Sequence, residues 1–574
     1  MDPGLCTADR LLNFQTKKGF LMRETIPPRT GADLLVDSLQ ALGVEYVFGV
    51  PGGAILPILN VLADRGPRFI VCRDETGAAF MAQSWGRITG RPGVVLTTSG
   101  PGLINAVCGV ATATEDRDPL VVITGQVPRA VQFKQSHMNL DSVGLFAPIT
   151  KWSVEVEEPN TVSEILVNAF RTAQTPCAGA VHVSVPNDML TAPVTAQALA
   201  PAEPAVWGTA PAAVVERAAS LLNDAKAPAI LLGLRASTPG AAAAVRRFLE
   251  RHPLPVAMTF EAAGTLSRDL VDQFVGRVGY VLNQPGDEVL RQADLVLTIG
   301  YDPIEYEPSA WISPQSQAIH LDALPAAVDR AYHPAAELVG DIAANLAALG
   351  SLLRIEDRAG RPAVAAARRR LLEEQARGAA LTGMPIHPLR FIHDLRATLD
   401  DEATVTCDVG AHEIWMARYF FCYAPRHLLF SMGHQTMGVA LPWAIGAALA
   451  RPGKKVVSVS GDGSFLMTCM ELETAVRLKL PIVHIVWKDG GYNLIHSLQM
   501  RDYGRSFGAE FGPTDFVKLA EAFGAIGYRI ESADGIVPVL NRALAADAPV
   551  LIEVPIDYSD NVHLVEAIDA SAQH

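Results

Sequence analysis

Short apolar runs alternate with amphipathic stretches along most of this chain. Residues 46–50, 94–97, 120–124 and 180–185 are mainly apolar segments, separated by helical patterns such as 32–42 and 78–89. Runs of that length read as strands covered on both faces, and their alternation with helices predicts a parallel sheet. A second series follows at 229–232, 255–259, 295–299 and 318–321, with Ala-rich helical runs between. A third contains 456–459, an amphipathic stretch from 465 to 478, and 482–487. Segment 191–211 is rich in Ala and Pro and lacks periodicity, so it reads as a linker. A polar helical connector is expected near 360–382; its Arg368, Arg369 and Arg370 suit a solvated helix face. The pattern predicts an α/β protein of three doubly wound parallel-sheet domains. Their expected bounds are an extension 1–28, a first domain 29–190, the linker 191–211, a central domain 212–355, a connector 356–384, and a last domain with its tail, 385–574.

Size agrees with that division, because 574 residues exceed what one hydrophobic core supports. Net charge is −14 and no long basic run is present, which argues against nucleic acid as a partner. No apolar stretch approaches the ~20 residues of a membrane span, and residues 1–28 lack the apolar core of a secretory signal. The seven cysteines are scattered without a C-x-x-C pair, so neither a disulfide framework nor a zinc site is expected; a cytoplasmic location is.

The clearest chemistry lies in the third block. The run 456–459 ends in Gly461, Asp462 and Gly463, and the run 482–487 ends in Lys488, Asp489, Gly490 and Gly491. Strand, turn, helix, strand, turn puts Asp462 and Asp489 at the carboxyl ends of neighbouring parallel strands, where open α/β sheets bind ligands. Two carboxylates beside tight glycine turns suit Mg²⁺ and a diphosphate: the metal takes oxygen ligands, and glycine lets backbone approach phosphate. Alone, a Gly-Asp-Gly turn also ends many strands that bind nothing.

The whole unit resembles the diphosphate-binding motif of thiamine diphosphate enzymes, and similarity over about residues 30–565 narrows to acetolactate synthases of the catabolic, FAD-independent type. Stretches 145–151, 262–270, 283–287, 300–306, 471–478 and 557–561 carry that narrower likeness. The resemblance implies pyrimidine-binding, central and diphosphate-binding domains in that order. It implies thiamine diphosphate and Mg²⁺ as cofactors, the metal held by Asp462, Asp489 and the Gly491 carbonyl. Glu75, in Arg73-Asp74-Glu75-Thr76-Gly77-Ala78-Ala79, matches the glutamate that meets pyrimidine N1′. Met437 matches the apolar wedge that bends the cofactor, with the Gln435 carbonyl facing its amino group. Gly410, His412, Gly461, Gly463, Ser464 and Tyr492 fall at further cofactor-binding positions. His137 and Gln499 fall near the substrate; His137 either orients it or is an ordinary surface histidine, and Lys134 reads as surface. The implied reaction joins two pyruvates to 2-acetolactate with loss of CO₂, in a homodimer or homotetramer with sites between subunits. The alternative is a related carboligase or decarboxylase with another acceptor.

Three positions depart from the catabolic pattern. Ala54 stands where a lysine is usual, Met138 where glutamine is usual, and His434 where methionine is common. Two competing classes remain. A flavin- or nucleotide-dependent oxidoreductase would use the central block, but the turn at Gly233 lacks the dinucleotide fingerprint, and FAD, which the resemblance leaves room for as a passenger, is not expected. A non-catalytic homologue is opposed by the presence of Glu75, Asp462 and Asp489 together.

Overall fold

A computed structural model describes residues 28–279, 284–354 and 361–565. The expected extension 1–28 therefore lies outside the described residues except for Pro28, as do positions 356–360 of the connector and the tail from 566 onward.

Three six-stranded sheets, all parallel, carry the chain. The first holds β1 (Tyr46–Gly49), β2 (Arg68–Val71), β3 (Gly93–Thr97), β4 (Leu120–Gln126), β5 (Trp152–Glu155) and β6 (Ala180–Pro186) in the order β2-β1-β3-β4-β6-β5. The second holds β7 (Pro228–Leu232), β8 (Val256–Met258), β9 (Phe274–Arg277), β10 (Leu295–Ile299), β11 (Gln317–Asp322) and β12 (Ala336–Val339) in the order β12-β11-β10-β7-β8-β9. The third holds β13 (Thr404–Cys407), β14 (Leu428–Leu429), β15 (Val456–Gly461), β16 (Ile482–Lys488), β17 (Ile526–Arg529) and β18 (Val550–Pro555) in the order β14-β13-β15-β16-β18-β17. Numbered within each sheet, the first and third share one order, 2-1-3-4-6-5. The central sheet has the dinucleotide-fold order 3-2-1-4-5-6.

Strands β3, β4 and β6 are buried at every residue, which is why they read as mainly apolar runs, with His182 and Ser184 of β6 buried and hydrogen-bonded. Edge strands β5 and β17 are half-buried and carry no such signal. The amphipathic stretch 465–478 departs from expectation. It forms two helices, Asp462–Thr468 and Glu471–Arg477, whose ends are fixed on different partners. The Thr468 hydroxyl donates to the Gly438 carbonyl at 2.7 Å, whereas Glu471 accepts from backbone of the first domain. One hydrophobic core joins the first and third sheets, running from Phe48, Ala78 and Trp85 to Leu441, Ala444 and Phe465. Helices Glu75–Thr89 and Ala440–Ala450 pack on each other at its centre.

Candidate active site

Gly461 of β15 pairs with Trp487 of β16, so the two strands release their turns side by side. Asp462 is buried and faces the neighbouring turn: its Oδ1 accepts from Gly463 N at 2.9 Å, and its Oδ2 accepts from Asp489 N at 3.2 Å and Gly490 N at 2.8 Å. Burial raises the pKa of Asp462. Burial, and then the charge of Asp462, push Asp489 up to about 7. Two carboxylates that disfavour each other's charge are what a divalent cation would stabilise. Among the described residues no group of three or more His, Cys, Asp or Glu side chains forms a metal site. A cation here would therefore draw on two carboxylates, the Gly491 carbonyl and oxygens of a ligand. The surrounding turn is tight. A Cβ on Gly463 would lie 2.6 Å from the Tyr492 ring, and Tyr492 packs on Phe511 with ring centroids 5.3 Å apart. Ser464 donates to the Gly461 carbonyl at 3.1 Å.

A hydrogen-bonded chain reaches Asp489 from behind. Trp415 Nε1 donates to Asn561 Oδ1 at 2.7 Å, Asn561 Nδ2 to Asn493 Oδ1 at 2.6 Å, and Asn493 Nδ2 to Asp489 Oδ2 at 2.8 Å. On the other side, Gly410 opens the Ala411–Tyr419 helix with φ 149°. His412 is buried, and its Nε2 accepts the Gly461 N–H at 3.2 Å. Burial lowers its pKa to about 3, so the ring is neutral and ties the two glycine turns together.

The loop holding Gln435 and Met437 runs along the same end of the third sheet. Gln435 takes φ 50°, a conformation side chains other than glycine rarely adopt, and Met437 is half-buried. Asp408, at the end of β13, anchors the loop: Oδ1 accepts from Gly438 N at 2.7 Å, and Oδ2 from Ser460 Oγ at 3.0 Å. Sequence reasoning missed Asp408, although Cys407-Asp408-Val409-Gly410 repeats the strand–acid–glycine pattern of Gly461-Asp462-Gly463.

Glu75 stands apart from this group. It is the first residue of its helix, next to the N-cap Asp74, whose side chain accepts from Thr76 N. Its carboxyl is 7% exposed, accepts from Asn105 Nδ2 at 3.0 Å, and is raised in pKa by burial first. Among the described residues no hydrogen bond joins Glu75 to 433–438, 461–464 or 489–492. The structure thus brings Gly410, His412, Gln435, Met437, Gly461, Asp462, Gly463, Ser464, Asp489, Gly491 and Tyr492 to one end of the third sheet. It keeps Glu75 and an exposed His137 with the first domain of the same chain.

Comparison with known proteins now adds to the geometry. The thiamine pyrophosphate enzyme family matches with its N-terminal TPP-binding domain at 29–145, its central domain at 215–349 and its C-terminal TPP-binding domain at 408–554. The acetolactate synthase of Bacillus subtilis (strain 168) is 47% identical over 551 residues, covering 94% of this chain and 96% of its own. The catabolic acetolactate synthase of Raoultella terrigena is 44% identical over 548 residues, 94% of this chain and 97% of its own. The chain belongs to the acetolactate synthase family of thiamine diphosphate enzymes. The large subunit of acetolactate synthase isozyme 1 from Escherichia coli (strain K12) is more distant, at 32% identity over 540 residues, 93% of this chain and 95% of its own.

The positions that depart from the family pattern have the following surroundings, none of which accounts for His434. Lys488, where many thiamine diphosphate enzymes carry asparagine, donates to Glu553 Oε1 at 3.0 Å and to the Thr514 carbonyl at 2.6 Å, away from the metal turn. Ala54 N donates to Thr98 Oγ1 at 3.3 Å, and a Cβ on the neighbouring Gly53 would meet nothing within 4 Å. Met138 takes φ 60° and leans over Gly100, two residues before the glycine that abuts Glu75. His434 is exposed on the Met437 loop. The Gln499 amide is turned onto its own loop: Oε1 accepts from Phe507 N at 2.9 Å and Ser506 Oγ at 3.1 Å, and Nε2 donates to the Phe507 carbonyl at 3.2 Å.

The central sheet has a crevice at its switch point between β7 and β10, and acid side chains fill it. Glu305 Oε2 accepts from Leu234 N at 2.9 Å, directly after β7, where a dinucleotide's diphosphate would approach the backbone. Arg235 is paired with Asp322 at 2.5 Å and Asp302 at 3.0 Å, and Arg117 of the first domain reaches Asp302 at 3.1 Å.

Proposed function

We propose that the protein condenses two molecules of pyruvate to 2-acetolactate with release of one CO₂, using thiamine diphosphate and Mg²⁺. The observation that carries this reading is the pair of acids, buried Asp462 and the more exposed Asp489, on adjacent strand ends in a chain that matches acetolactate synthases over nearly its full length. The named relatives are acetolactate synthases, and no feature of the site favours another acceptor.

When bound, thiamine diphosphate supplies the nucleophilic carbon and the electron sink that loss of CO₂ from a 2-oxo acid requires. The protein's part is orientation, charge and dryness. Asp462, Asp489 and the Gly491 carbonyl hold Mg²⁺, and the glycine turns at 410, 461 and 463 let backbone and Ser464 reach the diphosphate. Met437 would supply the apolar support between the cofactor rings, and the Gln435 carbonyl would be the acceptor for the pyrimidine amino group. Glu75 would share a proton with pyrimidine N1′; its raised pKa suits that task, because burial favours the protonated carboxyl and brings its proton affinity closer to that of a ring nitrogen. Half-buried Met138, beside Gly100, would help to exclude water, which would otherwise divert the reaction to acetaldehyde.

Glu75 meets its counterparts, on this reading, across a subunit interface in a homodimer or homotetramer. Exposed Ile104 (52%), Met467 (45%) and Met470 (36%) supply apolar surface beside both halves of the site. FAD is not part of the proposal, since Glu305 already accepts from Leu234 N, where its diphosphate would approach the backbone. No helix among the described residues is long and apolar enough to cross a membrane. The six described cysteines are free thiols, which supports a cytoplasmic location. Domain bounds of 29–190, 212–355 and 385–574 are proposed on the limits of the three sheets.

Product analysis tests the function. The holoenzyme given pyruvate yields 2-acetolactate and CO₂ in equal amounts; acetaldehyde as the main product, or turnover only when another acceptor is added, contradicts it.

A further inference from the structure

Two acid-and-hydroxyl contacts join the first and third domains within one chain, each ending on an element that the mechanism uses. Glu471, fully buried at the start of the Glu471–Arg477 helix, accepts from Arg73 N at 3.0 Å and Asp74 N at 3.1 Å through Oε1. Those are the two residues before Glu75. Its Oε2 is fixed by the Thr474 hydroxyl at 2.6 Å. In the reverse direction, the Pro101–Glu115 helix of the first domain holds the loop that carries Met437. Thr112 Oγ1 donates to the Cys108 carbonyl at 2.8 Å, so the 2.8 Å contact between Thr112 and Thr436 hydroxyls has Thr436 as its donor. Asp116 Oδ1 accepts from Gly433 N at 2.9 Å. Asp116 is itself set by Gln83 Nε2 at 3.0 Å and Arg87 at 3.1 Å, both on the helix that begins with Glu75. A Cβ on Gly433 would lie 2.5 Å from Glu115 backbone, so the loop closes directly on the end of the first domain's helix. The loop needs such support, because Gln435 sits at φ 50°. A strained backbone persists only where its surroundings over-determine it.

We propose that the contact between the first and third domains of one chain is a reciprocal positioning device: Glu471 of the third sets the turn that carries Glu75, and Thr112 with Asp116 of the first sets the loop that carries Met437. It rests on the reading of Glu75 and Met437 given above. Neither Glu471 nor Thr112 touches substrate or cofactor in this account; each acts through the residue it holds.

The test uses full-length holoenzyme carrying Thr112→Val, Thr436→Val, their combination, and Glu471→Gln. Three readouts are taken: the circular dichroism bands that distinguish amino and imino forms of the bound cofactor's pyrimidine, the kcat and KM for pyruvate, and thermal unfolding. One lost hydrogen bond predicts a fall in kcat of about fivefold to tenfold for Thr112→Val, with KM unchanged within about twofold. The imino band weakens in parallel, and the double variant is no worse than either single one. Glu471→Gln lowers kcat and the imino band likewise, and Thr112→Ser, which keeps the hydroxyl, recovers most of the loss. Met437→Ala and Glu75→Gln serve as controls that remove the positioned groups. Unchanged kcat and tautomer balance in Thr112→Val and Glu471→Gln, while both controls lose them, overturns the positioning role alone. A lowered melting temperature with an unchanged tautomer balance overturns it as well, assigning these residues to structure only. If the controls too keep full turnover, it falls together with the site reading beneath it.

Discussion

At the scale of the residue, buried acids do different work according to what donates to them. Asp462 accepts from the Asp489 and Gly490 backbone, and its charge adds to burial in raising the pKa of Asp489. Asp408, buried like Asp462, is met by the backbone N–H groups of Val409, Gly438 and Ala440 and the hydroxyl of Ser460. Burial still outweighs those donors and pushes its carboxyl up to about 6. The folded protein therefore binds this proton more tightly than the unfolded chain does. The stabilisation is complete below the ordinary carboxylate range and is lost as pH rises through about 6. The shift corresponds to about 3 kcal/mol. Asp408→Asn cannot titrate, so the melting temperature of the wild type relative to the variant should fall from pH 4 to pH 7. A difference that stays constant over that range contradicts the assignment.

At the scale of the element, each strand end becomes a site through what lies behind it. The turn with Asp489 is backed by Asn493, on the Asn493–Tyr503 helix, and by Asn561, on the Asn561–Val565 helix that follows the last strand. Partners of a metal's carboxylate ligand typically change metal affinity by about tenfold or more when removed. Asn493→Ala should therefore weaken Mn²⁺ binding, read by electron paramagnetic resonance, by about tenfold with far-ultraviolet circular dichroism unchanged. Equal affinity in the variant would show that Asp489 needs no such support. Neither asparagine was visible as functional in the sequence, because their partnership joins positions 68 apart and has no local pattern. Asn105 beside Glu75 escaped for the same reason. What was legible is what the backbone repeats locally. Central strands show as mainly apolar segments, whereas edge strands β5 and β17, half in water, show no such signal. The break between the two helices of 462–477 also came from tertiary contacts, those of Thr468 with Gly438 and Glu471 with Arg73 and Asp74.

At the scale of the whole molecule, the shared strand order of the first and third sheets makes the chain a pair of like domains around one core, with a dinucleotide-type domain between them in sequence. That kinship rests on strand order, which no local sequence pattern displays. The packed pair holds Glu75 on one side and the Asp462–Asp489 turns at the end of the other sheet, with no described hydrogen bond between them. Two copies related by a twofold axis would bring the first domain of each to the third domain of the other, giving two complete sites. Mixed dimers of two inactive variants test that claim most directly. Differently tagged Glu75→Gln and Asp462→Ala chains are co-expressed, and the heterodimer is purified through both tags. One of its sites carries both lesions and the other carries none, so activity with pyruvate should return to about half that of the wild type, although each parent alone is inactive. A purified heterodimer as inactive as its parents would contradict the account, since it would place Glu75 and the Asp462 turn of a single chain in the same site.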